Sequence, residues 1–284
     1  MTDEQTLVGH RRRRTVGGTR FGPFVMRWEE SGDADAPLVL LLHGIYAGAH
    51  SYEWRKLVPL LSERFTVRAP DLLGTGKSDR PDLDYTREIV QAAVDALILD
   101  AGPDVHVVAS SLTGAYALRS VANGVPARSL TLITPTGLGT RREQPAHLIS
   151  NGLYALARNT PVGNAFVDAL TSRPSVRWFQ THKTYLDPST LHDAELDETR
   201  RVGRLPNAKH LQLAFVFGRL AIDITPEQVS QVKPTVIWGA GQQFVDDEEL
   251  TGWREAGADI VELPSGLPQV EEPQRVAAVI GDET

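Results

Sequence analysis

The stretch Val105–Gly114, VHVVASSLTG, decides the fold of this chain. A short apolar run ends at two serines and passes directly into a helical pattern, as expected where a buried parallel strand turns sharply into a helix. In the motif Gly-x-Ser-x-Gly the serine stands on that turn, and Ser111 has this place between Ala109 and Thr113. Both flanking residues are bulkier than glycine, which is consistent with a turn that no longer meets the usual steric demands of this motif.

Composition sets the broad class of protein. The 284 residues are enough for one large domain, and the absence of cysteine fits a cytoplasmic location. A net charge of −7 argues against nucleic acid as a partner, and the basic run Arg11–Arg14 fits a solvated tail. Neither a signal peptide nor an apolar run of ~18 residues is visible, so we expect no membrane partner. We also expect no metal and no cofactor, because no matching motif appears; the oligomeric state stays open.

Apolar runs that end in glycine-rich loops recur along the chain and predict buried parallel strands. After an edge hairpin at 20–30, these runs occupy residues 38–42, 65–69, 105–109, 130–134, 234–238 and 260–263. Helical spacing fills most of the intervals, at residues 52–61, 85–99, 112–122, 250–255 and 273–280. The alternation predicts an α/β protein with a mostly parallel, doubly wound sheet.

One long segment interrupts this alternation. From about residue 138 to residue 221 the pattern is helical and polar, with scattered aromatics and no strand signal. We therefore predict a helical lid at 138–222, inserted after the sixth strand. The core then comprises residues 20–137 and 223–284, and residues 1–19 form an N-terminal arm.

Five motifs, in this order, resemble those of the α/β-hydrolase-fold superfamily, of the esterase, epoxide hydrolase and C–C hydrolase type. The resemblance runs from about residue 24 to residue 280. LLLHG at 40–44 is similar to the oxyanion loop, and ASSLTG at 109–114 is similar to the nucleophile elbow. The other three motifs are APDLLGTGKSDRP at 69–81, PTVIWGAG at 234–241 and LPSGLPQVEEP at 263–273. In this superfamily the last two segments carry the catalytic acid and the catalytic histidine.

The chain departs from the superfamily at those two positions. The acid stands three residues after the glycine of the Trp-Gly pair, where this chain has Gln242. The histidine stands seven residues before the proline that closes the last motif, which is Gly266 here. The triad-equivalent set is thus Ser111, Gln242 and Gly266. A serine hydroxyl needs a base, and loss of triad members removes roughly 10⁴ to 10⁶ in rate.

The resemblance also implies a substrate-binding set around the elbow. Backbone N–H groups of Ile45 and Leu112 correspond to an oxyanion hole, and Tyr46 points from the same loop toward the pocket. Ser110 precedes the elbow, and Trp178 would offer a lid platform for an apolar ligand. For each of these residues the alternative is that the side chain or loop only packs.

Three functions compete. The first is a cofactor-free enzyme that tailors a peptide natural product by proton transfer next to a carbonyl, with the substrate supplying the base. In its fold and its missing triad the chain resembles the epimerases of bottromycin-type peptide pathways, which implies epimerisation of a residue such as aspartate in a modified peptide. The second is a serine hydrolase, an esterase or C–C bond hydrolase, with a relocated lid histidine at one of His147, His182, His192 or His210. The third is a non-catalytic binder of a small molecule or peptide.

Overall fold

The computed structural model describes residues 10–16, 23–138, 147–241 and 247–282, and of these it describes only the backbone at 10–16, 147–150 and 247. The strands are β1 His10–Val16, β2 Phe24–Ser31, β3 Leu38–Leu42, β4 Thr66–Asp71, β5 His106–Ser110, β6 Ser129–Ile133, β7 Thr235–Gly239 and β8 Asp259–Leu263. They form one sheet in the order β1-β2-β4-β3-β5-β6-β7-β8. The pairs β1–β2 and β2–β4 are antiparallel and the others are parallel.

Helices connect the strands on both faces of the sheet. They are α1 Val58–Leu61, α2 Arg87–Ala101, α3 Ser111–Ala122, α4 His147–Asn159, α5 Pro161–Leu170, α6 Arg173–Phe179, α7 Asp193–Gly203, α8 Lys209–Val216, α9 Pro226–Val232, α10 Asp247–Glu255, α11 Pro268–Glu271 and α12 Pro273–Asp282. Helices α4 to α8 lie between β6 and β7 and form the lid. The predicted fold class is confirmed, and the boundaries at residues 137 and 223 remain our proposal.

The central strands are buried on both faces. Along β3, Leu40 and Leu42 belong to one apolar cluster, and Val39 and Leu41 belong to another on the opposite side. Alternate residues of a strand point to opposite faces, so the continuous apolar run at 38–42 fills both layers. The carboxyl ends of β3, β5, β7 and β8 lie at the same edge of the sheet, because these strands run parallel. In open α/β sheets, the loops at this edge carry the functional groups.

Three local predictions were wrong. The edge hairpin expected at 20–30 is absent from the described residues there, because residues 24–31 form the single strand β2, whose antiparallel partners are β1 and β4. The run Arg11–Arg14 is not a solvated tail, because it lies in β1 and pairs with β2 at the edge of the sheet. Residues 52–61 do not form one helix: a 3₁₀ turn spans Ser51–Trp54, and α1 begins at Val58. Pro59 explains the break, because it cannot donate the backbone hydrogen bond that a longer helix would need there.

Among the described residues, no helix combines the length and the apolar character that crossing a membrane requires.

Candidate active site

The elbow places Ser111 at the carboxyl edge of the sheet. Strand β5 ends at Ser110, and α3 begins at Ser111, whose φ is 52°. A positive φ is unusual for a residue with a side chain and costs about 1–3 kcal/mol. The elbow therefore keeps its strained backbone although Ala109 and Thr113 stand where the motif has glycine.

Thr113 has a role of its own in this turn. Its side chain is fully buried, and its hydroxyl donates a hydrogen bond of 2.7 Å to the backbone carbonyl of His43. A glycine at this position would lack that bond between α3 and the end of β3. The larger residue thus fastens the elbow to the neighbouring loop.

Among the described residues, no base is hydrogen-bonded to the serine. The hydroxyl of Ser111 has no hydrogen-bond partner among the described residues. At the position expected for the histidine, Gly266 packs so closely against the lid that a Cβ atom would stand 1.7 Å from the carbonyl oxygen of Thr184. The lid backbone thus occupies the space that a side chain at residue 266 would need.

We call the lid residues 184–187 the strap, and several contacts hold the strap in place. Glu271 accepts hydrogen bonds from the backbone N–H groups of Gly266 at 2.7 Å and Asp187 at 2.8 Å, so one carboxylate joins the β8 loop to the strap. Tyr185 is buried in a cluster with Leu196 and Val270. The strap therefore packs as part of the folded core.

The strap also approaches the loop that precedes the acid position. A Cβ atom at Gly241 would lie 2.9 Å from the side chain of Leu186. Gln242 itself lies outside the described residues, so its role stays a prediction. At the end of β6, where some relatives place the acid, Thr134 instead accepts a hydrogen bond from the N–H of Gly239 at 3.2 Å.

The oxyanion loop lies against the elbow. A Cβ atom at Gly44 would be 3.4 Å from the Cβ atom of Ser111 and 3.4 Å from the ring of Tyr46. The backbone N–H groups of Ile45 and Leu112 donate to no acceptor among the described residues, and both side chains are buried. Free N–H groups on either side of a strained turn are the donors that an oxyanion requires.

Glu53 completes this loop, and the sequence analysis missed it. Its side chain is buried and accepts hydrogen bonds from the N–H of Gly44 at 3.0 Å, the hydroxyl of Tyr46 at 3.2 Å and the amide of Gln269 at 2.8 Å. The carboxylate thereby connects the oxyanion loop to α11. Burial of the phenol and the nearby Glu53 carboxylate raise the pKa of Tyr46 well above its ordinary value, so its hydroxyl stays protonated at neutral pH. The sequence signal that could have identified Glu53 is a charged residue within the predicted helical segment at 52–61.

The core histidines are structural. Nδ1 of His43 lies 2.7 Å from the carbonyl oxygen of Gly44, and its Nε2 accepts a hydrogen bond from the N–H of Leu72 at 3.1 Å. Burial lowers the pKa of His43 and keeps the ring neutral. His106 is buried in β5, 2.8 Å from the hydroxyl of Ser129, as its place in a core strand predicted.

The lid histidines do not supply the missing base within the described residues. His182 is exposed and stacks on Trp178, while His192 is exposed at the start of α7. His210 is buried, and its Nε2 lies 3.4 Å from Asp82. The side chain of His147 lies outside the described residues.

The predicted substrate-binding residues divide into two groups. Ile45, Tyr46, Ser111 and Leu112 come together at the elbow, and Ser110 is buried just before it. Trp178 is 56% exposed on α6, and its ring contact is with His182 at 5.4 Å. Binding of substrate by any of these residues remains a prediction.

Comparison with known proteins agrees with this architecture. The model of the alpha/beta hydrolase family matches residues 39–279. A soluble epoxide hydrolase from Corynebacterium sp. (strain C12) is 27% identical over 233 residues, which cover 79% of this chain and 80% of that protein. The 2-hydroxy-6-oxo-6-phenylhexa-2,4-dienoate hydrolase of Burkholderia cepacia is 26% identical over 242 residues, covering 81% and 79%.

Among solved structures, the 2-hydroxy-6-oxo-6-phenylhexa-2,4-dienoate hydrolase from Rhodococcus sp. strain RHA1 superimposes with a TM-score of 0.76 at 21% identity. The superposition covers 98% of this chain and 99% of that structure. At this identity the likeness is one of fold, and fold alone does not fix the reaction.

Proposed function

This chain belongs to the alpha/beta hydrolase family, and from that premise we propose that it is an enzyme that works without a Ser–His–acid relay. The observation that carries the proposal is the packing of Gly266 against Thr184, which leaves no room for a base at the position of the family's histidine. Ser111 then lines the site and does not attack the substrate.

The features that remain favour chemistry with an oxyanionic transition state. The N–H groups of Ile45 and Leu112 flank Ser111, and a donor of this kind lowers a barrier by about 3 kcal/mol when it meets developing negative charge. Proton abstraction next to a carbonyl passes through such an enolate. The hydroxyl of Tyr46 donates to Glu53 and so helps to hold the loop that carries the Ile45 donor.

The finer proposal is epimerisation of a residue such as aspartate in a modified peptide, with a group of the substrate acting as the base. Its support is the combination of retained oxyanion donors with the lack of a protein base at Ser111 among the described residues. The reaction needs no net bond cleavage: one proton leaves the carbon next to the carbonyl and another returns to the opposite face. We propose a cytoplasmic enzyme without a cofactor.

A second candidate follows from the relatives, which are named as an epoxide hydrolase and a C–C bond hydrolase. On this alternative the chain is an esterase or a C–C bond hydrolase, with a lid histidine reaching Ser111. His147, whose side chain lies outside the described residues, is then the candidate base, since the other three lid histidines are exposed or held by Asp82.

One experiment separates these candidates. Wild type and Ser111→Ala are incubated in D₂O with aspartate-containing modified peptides and, separately, with aryl esters, and the products are analysed by mass spectrometry. The proposal predicts that the recovered peptide gains one deuterium without hydrolysis, and that Ser111→Ala retains most of this exchange. Hydrolysis that Ser111→Ala abolishes would establish the second candidate, and binding without exchange or hydrolysis would leave a binding protein.

A further inference from the structure

A cleft lies at the antiparallel edge of the sheet, between β2, the loop after β4 and the end of α7. Its volume is about 380 Å³, within the range of small-molecule sites. None of the residues that line it belongs to the group around Ser111. They are Arg27, Trp28, Glu29, Ser51, Asp71, Gly76, Lys77, Arg80, Arg201 and Leu205.

The lining of the cleft is cationic although the whole chain is acidic. Four lining residues are basic and two are acidic, whereas the chain carries a net charge of −7. Both acidic side chains are already engaged: Glu29 pairs with Lys77 at 2.9 Å, and Asp71 accepts hydrogen bonds from the N–H groups of Ser51 at 2.8 Å and Lys77 at 2.6 Å. Glu29 therefore balances Lys77, and Glu198, which is not a lining residue, balances Arg201 at 2.7 Å. The remaining lining carboxylate, Asp71, stands against two remaining guanidinium groups.

Two guanidinium groups carry the excess positive charge. Among the described residues, Arg80 donates only to carbonyl oxygens, those of Gly76, Ser78 and Pro206, and no carboxylate of these residues pairs with its charge. The side chain of Arg27 has neither a hydrogen bond nor an ion pair to any described residue. A guanidinium without a carboxylate partner at the wall of a cleft is free to bind an anion in a bidentate manner.

The basic run near the start of the sequence lies beside this cleft. The register of the β1–β2 pair sets Arg13 opposite Arg27 and Arg11 opposite Glu29. Strand β1 thus adds basic positions next to the strand that lines the cleft.

We propose that this cleft binds a multiply charged oxyanion, a phosphate or carboxylate group of a small ligand, with Arg27 as its principal contact. The guanidinium of Arg80 and the hydroxyl of Ser51 also line the cleft and supply further donors. Arg201 is held by Glu198 at 2.7 Å and is not counted among these donors. The cleft shares no lining residue with the group around Ser111.

The test is calorimetric titration of the full chain with sodium pyrophosphate and with sodium citrate at low salt, with sorbitol as a neutral control. We expect wild type to bind at least one of the two anions with a Kd below about 1 mM. Arg27→Gln raises that Kd about tenfold, because it removes a charge-assisted contact. Preference for pyrophosphate would indicate a phosphate ligand, and preference for citrate would indicate a carboxylate.

Arg254→Gln is the matched control, because Arg254 is 53% exposed and pairs with Glu262 outside the cleft. It removes the same charge and leaves the Kd within about twofold, as expected for a remote, screened charge. Arg80→Gln is a second variant in the cleft, should Arg27→Gln fail to fold. The proposal is overturned if neither anion binds wild type at about 5 mM, or if Arg254→Gln weakens binding as much as the cleft variants do.

Discussion

Substitution of Gly266 by alanine tests the packing that removes the base. The new Cβ atom would stand 1.7 Å from the carbonyl oxygen of Thr184, and an ordinary carbon–oxygen contact is about 3.3 Å, so the two backbones must separate by about 1.6 Å. Gly266 does not have a positive φ, and the effect therefore reports on packing and not on backbone strain. The same separation would stretch the bonds of Glu271 to Gly266 and Asp187.

The expected cost follows from these contacts. Overpacking costs about 1–3 kcal/mol, and disturbance of the Glu271 bonds adds about 1 kcal/mol. We expect Gly266→Ala to lose about 3 kcal/mol of stability, which lowers Tm by roughly 6–12 °C. Differential scanning calorimetry measures that shift, and hydrogen exchange should show faster exchange at residues 180–187.

A matched control is available in α4. A Cβ atom at Gly152 meets nothing within 4 Å, so Gly152→Ala should leave Tm unchanged or raise it slightly through helix propensity. If Gly266→Ala has the Tm and the exchange pattern of wild type, the strap does not fill this space. Gly266→His should likewise fail to create esterase activity, because the strap and the imidazole cannot occupy the same place.

Three further substitutions examine the surroundings of the elbow and the lid. Glu53→Gln replaces a carboxylate that accepts three hydrogen bonds, and chemical denaturation should show a loss of about 1–3 kcal/mol of stability. The same substitution should lower the pKa of Tyr46, measured by ultraviolet titration with Tyr46→Phe as the reference. An unchanged phenol pKa would contradict this hydrogen-bond network. Thr113→Val should lower stability by about 1–2 kcal/mol through loss of the bond to the His43 carbonyl, and equal unfolding curves would show that this bond contributes nothing. Burial opposes ionisation of Glu198, but hydrogen bonds from Arg201 and His50 hold the pKa of its carboxyl at about 2, so the stability it contributes is present above pH 4.5 and is lost as pH falls toward 2. Glu198→Gln should therefore be less stable than wild type by on the order of 2 kcal/mol at pH 7. In thermal melts this difference should vanish near pH 2.

The sequence predicted the fold because each central strand carries a local signal. The apolar runs at 38–42, 105–109 and 130–134 end at loops rich in glycine, serine or threonine, and burial on both faces requires such runs. The start of the sheet was harder to predict. A run of four arginines has no apolar pattern, yet β1 pairs through its backbone, and backbone pairing leaves little trace in side-chain chemistry.

The candidate site was only partly predictable for a related reason. Ser111, Gly266 and the loop with Ile45 follow from motifs of contiguous residues. The contact of Thr184 with Gly266 joins positions 82 residues apart, and the bond from Gln269 to Glu53 joins positions 216 apart. Nothing in the sequence links the two residues of either pair, so only the folded chain shows that the strap fills the histidine's place and that a buried carboxylate holds the oxyanion loop.

The central claim is that Ser111 is not an activated nucleophile. Reaction of the purified protein with a fluorophosphonate probe, followed by intact mass measurement and peptide mapping, tests it directly, with a triad-containing esterase as the positive control. The account predicts no mass increase at Ser111 under conditions that label the control completely. Stoichiometric labelling of Ser111, abolished in Ser111→Ala, would contradict it.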